Sequence, residues 1–215
     1  MGKAHTSEPI LLREAILSFP QLDKPTKFKQ DNPDEVAKFS AAFLLDPSNP
    51  AQAKRIAQIK AESARIAKLE FDGEIPKSMS DAKNRCWGTD ADLDKVYDGY
   101  AGMFFVKVKS PTPVPVVGRI KTAVDSQGKP AFELLKPGDK EWPYAGCKVN
   151  AKISVWCQNS HGRKAINGNL LTIQFVEPGV PFGNKSVDPN EEFAAYEDAT
   201  GGADPFASGD DDIAF

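Results

Sequence analysis

The sequence predicts an all-β domain, a small OB-fold-like Greek-key β-barrel with one inserted α-helix, followed by a disordered acidic C-terminal tail. Three observations carry this reading. Strand-like apolar runs recur from Ile10 to Val176 with Pro, Gly, Asp and Asn between them. One stretch alone, Pro50 to Leu69, changes to a helical period. Charge, finally, divides the chain in two: no Lys or Arg follows Lys185, and the residues after Val187 hold nine acids.

Ile10 to Leu22 reads as the first strand, closed by Pro20 and Pro25, and Ala37 to Leu45 as the second. Asp46-Pro47-Ser48-Asn49-Pro50 then combines a turn with a helix N-cap. In the helix that follows, Ile56, Ile59, Ile66 and Leu69 form one apolar face. Lys54, Arg55, Lys60, Arg65 and Lys68 occupy much of the rest, which reads as a solvated basic face more readily than as a nucleic-acid contact. Phe71 to Tyr100 is rich in Gly, Asp, Asn and Lys and reads as a long irregular connection. Four further strands are expected at Met103 to Lys109, Val116 to Val124, Cys147 to Gln158 and Ala165 to Val176, about six in all. Domain organisation follows: residues 1–187 form the barrel domain and residues 188–215 the tail.

The net charge of −3 conceals an asymmetry. Of the 30 acids, nine lie in the tail, so the body carries 27 bases against 21 acids and is +6. A basic body suits a polyanion, and a terminal block of like charge is commonly an interaction tail. Cys86, Cys147 and Cys157 show neither disulfide-framework nor zinc spacing, and no secretory signal precedes them, which points to a reducing cytoplasm. No apolar run is long enough for a membrane helix.

Alternate residues of a strand face opposite ways. In the longest predicted strand, Cys147, Val149, Ala151, Ile153, Val155 and Cys157 make one apolar face. Lys148, Asn150, Lys152, Ser154, Trp156 and Gln158 make the other. Trp156 in register with lysines suits single-stranded nucleic acid, whose bases stack on rings while its phosphates pair with ammonium groups. The plainer alternative is a tryptophan covered by the helix or a loop. The same division groups Phe105 with Lys107 and Lys109, and Val117 with Arg119 and Lys121 on the neighbouring strand. Phe104, Val106, Val108, Ile120, Thr122 and Val124 would then fill the core. Tyr97, Tyr100, Trp142 and Tyr144, in connections beside Lys95, Lys136 and Lys140, are further stacking candidates, for each of which ordinary packing is the plainer reading.

Chemistry of other kinds finds little support. Cys147, Cys157 and His161 lack a fourth ligand for zinc. Asp90, Asp92 and Asp94 resemble the opening of a calcium loop, but Lys95 and Ala101 break the motif and a solvated acidic turn is the better reading. With two histidines and neither a phosphate loop nor a nucleophile elbow, neither an enzyme nor a cofactor is expected.

Asp210-Asp211-Asp212-Ile213-Ala214-Phe215 combines an acid cluster with a terminal apolar end, a peptide suited to a hydrophobic pocket with a basic rim. It resembles the tip of bacterial single-stranded DNA-binding proteins, with Ala214 in place of their proline. The body is similar to the single-stranded DNA-binding proteins of tailed phages. Leu17-Ser18-Phe19-Pro20-Gln21-Leu22 resembles that family's first strand and Phe39-Ser40-Ala41-Ala42-Phe43-Leu44-Leu45 its second. The stretch from Tyr144 to Asn150, with Gly168, Leu170 and Gln174-Phe175-Val176, resembles its last two. The resemblance implies an OB fold and sequence-independent binding of single-stranded DNA during phage replication and recombination. It further implies that Asp210, Asp211, Asp212, Ile213 and Phe215 recruit replication or recombination proteins while the tail competes for the DNA groove. The DNA-binding residues expected from the strand faces are Phe105, Lys107, Lys109, Arg119, Lys121, Lys148, Lys152 and Trp156. Oligomeric state, including a homo-oligomer, stays open, as does the alternative of a phage scaffolding protein that binds no nucleic acid.

Overall fold

A computed structural model describes residues 5–27, 35–121, 123–124, 126–160 and 162–183. In chain order the elements are β1 (Ile10–Thr26), β2 (Lys38–Leu45), α1 (Pro50–Glu70), β3 (Trp87–Thr89), β4 (Phe104–Ser110), β5 (Val116–Val117), β6 (Ala123–Val124), β7 (Pro130–Ala131), β8 (Lys148–Ser160) and β9 (Arg163–Glu177). The first, second, fourth, eighth and ninth strands form a ring. Antiparallel pairings join β4 to β2, β2 to β1, β1 to β8 and β8 to β9, and one parallel pairing, Lys109 with Asn169, closes β4 onto β9. This is the five-stranded barrel expected of an OB-type domain. On either side of the closing pair, β3 takes up the spare edge of β4 and β5 that of β9, so little unpaired backbone is left at the seam.

Alternation builds the core. Cys147, Val149, Ala151, Ile153, Val155 and Cys157 are all buried, facing Leu12, Leu17, Phe43, Phe104, Val106, Ile173 and Phe175. The three cysteines are free and buried, and burial pushes the Cys86 thiol to about 12 and that of Cys157 to about 11. Helix α1 starts where expected. The Asn49 side chain accepts from Ala51 N at 3.0 Å and Gln52 N at 3.3 Å, and Pro50 occupies the first turn, where no N–H is needed. Ile56, Ile59 and Ile66 are buried against the barrel, whereas Leu69, expected with them, lies exposed at the last turn. No helix among the described residues is long and apolar enough to cross a membrane.

Strand β1 bends through two left-handed residues, Glu14 (φ 51°) and Phe19 (φ 45°), each at a register shift against its neighbour. Non-glycine residues adopt this conformation only where their surroundings hold them. At Glu14 the fastening is polar. Its N–H donates to Asn150 Oδ1 at 3.0 Å, and the buried Gln52 amide donates to the carbonyls of Arg13 and Glu14 while accepting from Asp46 N.

Two expectations need correction. Phe71 to Tyr100 is not wholly irregular: it contains β3 and three short 3₁₀ turns, Lys77–Ser80, Ala82–Asn84 and Asp90–Asp92. Trp87 anchors it, its indole N–H donating to Ser63 Oγ at 3.1 Å and its ring stacking on Phe104. Asp90 and Asp92 serve as turn fasteners, accepting from Gly102 N and Thr89 N. Nor is Val116 to Val124 one strand. After Val117 the chain turns into a side excursion held by Gly118 N to Glu133 O and Leu135 N to Val116 O. Ile120 and Val124 are therefore exposed and not core, and Thr122 lies outside the described residues.

Candidate nucleic-acid interface

The outer face of β4 carries Phe105, Lys107 and Lys109. Phe105 does not present its ring to solvent: it is 3% exposed, covered by Tyr100 and packed on Leu44. Alternation correctly turns it outward, but the connection before β4 folds back over it. The Lys107 ammonium sits 4.7 Å above the Phe105 ring, an attractive cation–π geometry. Lys107 and Lys109 both reach solvent. Partial desolvation lowers each ammonium's pKa. At Lys109 the cations Lys38, Arg163 and Lys107 lower it further against Glu35, and at Lys107 Asp92 opposes the fall. Lys38 of β2, Lys107 of β4 and Arg163 of β9 thus lie near enough to Lys109 to act on it.

Lys148, Lys152 and Trp156 lie on the outer face of β8, which is not a neighbour of β4. Strand β9 intervenes and supplies the link. Lys109 pairs with Asn169, Asn169 pairs with Ser154, and the Asn169 amide donates to Ser154 Oγ at 3.3 Å. Trp156 stands two residues along that face, opposite Asn167, half-buried and bridged to Thr6 in the segment before β1. Lys152 is exposed, opposite Thr172, whereas Lys148 is tied to Glu177 in an ion pair at 2.5 Å.

Arg119 and Lys121 do not lie on a strand beside β4. The expected strand pairing with β4 is absent, because β5 pairs with β9. The Arg119 guanidinium contacts Glu141 at 2.7 Å, and Lys121 lies over Phe132 at 5.4 Å. The tail residues Asp210, Asp211, Asp212, Ile213 and Phe215 lie outside the described residues.

Two features were not expected. A shallow groove of about 430 Å³ at the β8–β9 turn is lined by Ser78, Lys83, Asn84, Gly162, Arg163 and Lys164, so Arg163 belongs both to it and to the lysine cluster. The second is a set of rings. Phe19 and Tyr97, 54% and 44% exposed, meet edge to face at 5.1 Å above the buried Tyr100, whose hydroxyl donates to Ser18 Oγ at 3.2 Å. Strict alternation from the inward Leu17 would send Phe19 into the core. The left-handed residue sends it out, and no composition signal marks that. Among the described residues no three His, Cys, Asp or Glu side chains gather as a metal set.

A family model described as Enterobacter phage Enc34, ssDNA-binding protein, matches residues 8–203. A putative protein p50 of Acyrthosiphon pisum secondary endosymbiont phage 1 is 28% identical over 189 residues, covering 86% of this chain and 91% of that protein. Among solved structures, the C-terminally truncated single-stranded DNA-binding protein of bacteriophage Enc34 superposes with a TM-score of 0.62 at 22% identity, covering 81% of this chain and 88% of that one. The same phage protein in complex with single-stranded DNA gives 0.61 at 24% identity, over 81% and 89%. These likenesses support the barrel fold.

Proposed function

Since the chain belongs to the family of the Enterobacter phage Enc34 single-stranded DNA-binding protein, we propose that it binds single-stranded DNA without sequence preference across the outer faces of β4, β9 and β8. The observation that carries this is the cation cluster of Lys38, Lys107, Lys109 and Arg163, continuous through Asn169 with the face that holds Trp156. Ammonium and guanidinium groups in such a row neutralise successive phosphates and release their counterions, a gain blind to base identity. Lys152 and Trp156 extend the row on β8. Binding of this kind involves no turnover, so the protein acts as a binding module and not as an enzyme.

The nine carboxylates beyond Val187 form a polyanion tethered to this cationic body. In this reading they compete with DNA for it, while Ile213 and Phe215 anchor replication or recombination proteins, in the cytoplasm of the phage's host. The deciding experiment is a titration with single-stranded DNA, duplex DNA and RNA over a salt series. Single-stranded DNA should bind with affinity falling linearly in log salt. Absence of binding would leave a protein that acts through protein partners alone.

A further inference from the structure

We propose that Phe19 and Tyr97 form a base-stacking platform, on which an unpaired nucleobase lies while its phosphate is met by Lys107. The inference rests on the single-stranded DNA-binding reading above and assigns it a stacking site.

Phe19 combines two unfavourable features. Its backbone is left-handed, a conformation that a bulky L-residue rarely adopts, and its ring is more than half exposed. Neither helps folding. A glycine or asparagine at this bulge would relieve the backbone, and a polar side chain would relieve the exposure. The bulge between Ser18 and Gln21 turns the ring away from the core and toward Tyr97.

The platform is built from beneath. Tyr100 lies 6.2 Å from Phe19 and 5.7 Å from Tyr97, and Phe105 lies 5.8 Å from Tyr100 with the Lys107 ammonium 4.7 Å from its own ring centre. Phe182 closes the base: at Gly99, whose φ is +77°, an added methyl would stand 2.3 Å from the Phe182 ring. Cross-strand register places Ser18, Ala42 and Lys107 in one row over β1, β2 and β4. An exposed ring pair and a cation are therefore parts of one packed cluster, the combination that a stacked base and its phosphate require. Because every base has a π face, this platform accepts any of them.

The test uses the full chain, with an oligothymidylate and an abasic oligonucleotide of the same length as probes. Phe19→Gly removes the ring while suiting the left-handed backbone, so the protein stays folded; Tyr97→Ala removes the second ring from a different segment. Each should weaken oligothymidylate binding roughly 5- to 150-fold, leave abasic binding near the wild-type value, and keep the salt slope unchanged. If both variants bind oligothymidylate within about twofold of wild type, the platform is refuted although DNA binding stands. If the wild type binds neither probe, the underlying function is refuted along with it.

Discussion

Gly168 on β9 lies flush against the carbonyl oxygen of Lys107 on β4. A methyl group at residue 168 would stand 2.7 Å from that oxygen and 2.7 Å from Val108 Cγ1. Backbone cannot rotate out of the way as a side chain can, so the strands at the seam would have to part. Gly168→Ala should destabilise the protein by about 1–3 kcal/mol, read as a lower urea midpoint at unchanged slope. An unchanged midpoint would show that the seam is not packed this tightly.

Salt dependence separates cations on the proposed path from cations beside it. Each phosphate contact on a single strand contributes about 0.7 to the slope of log affinity against log salt. Lys109→Ala should lower the slope by about that amount. Arg119→Ala should leave it alone, because Arg119 is engaged by Glu141. Equal slopes for wild type and Lys109→Ala would remove Lys109 from the interface.

The lowered pKa values of Lys107 and Lys109 give a pH profile with a definite sign. DNA favours the charged ammonium, so affinity is full while both lysines are protonated in the free protein and falls as pH rises through their free-protein values. Those values lie below the ordinary lysine range, chiefly because the surrounding protein desolvates the ammonium groups. Loss of affinity should therefore begin at lower pH than for exposed lysines. Replacing both by arginine, which stays charged, should extend the plateau upward. Superimposable profiles for the two proteins would contradict this.

Trp156 stands on the β8 face, half-buried. If the DNA path crosses β9 onto β8, Trp156→Ala should cost about 1–3 kcal/mol of binding and leave a smaller quenching of tryptophan fluorescence on DNA addition than the wild type gives. Unchanged affinity and quenching would confine the path to the β4 side.

A tethered polyanion is most competitive where screening is least. Deleting residues 188–215 should tighten DNA binding most at low salt, with the advantage shrinking as salt rises. Phe215→Ala keeps all nine charges, so it should barely alter DNA affinity while losing capture of a replication protein that the full chain retains. A truncated protein that binds no better at low salt would end the competition model.

What could be read from the sequence was whatever local periodicity dictates. The helix expected over Pro50 to Leu69 spans Pro50–Glu70, and β8 divides into an apolar and a polar face as expected, except that Ser154, assigned to the polar face, is buried. Non-local decisions were hidden. Val116 to Val124 has strand composition, yet the edge of β4 it was to join is taken by β3 and β9, and the chain pairs instead with β9 at Val116 and Val117 and with its own continuation at Glu133 and Leu135. Phe105 faces outward as alternation requires, and its burial is decided by Tyr100, whose own residue type reveals nothing of where it lands. Phe19 is the sharpest case, because a single dihedral angle reverses the face that periodicity assigns to it.

The rings at residues 19, 97, 100, 105 and 182 come from distant parts of the chain, yet the fold packs them into one cluster near the surface. A partner that lands on them has little left to order. Tyr100 lost its rotational freedom when the barrel folded, and Phe19 and Tyr97 restrain each other, each with only two side-chain torsions to surrender. The entropy of making a docking surface is thus borne by folding and not by association. Encounter with a strand should then be limited by how fast the strand diffuses and unstacks, with no rearrangement of the protein setting the pace.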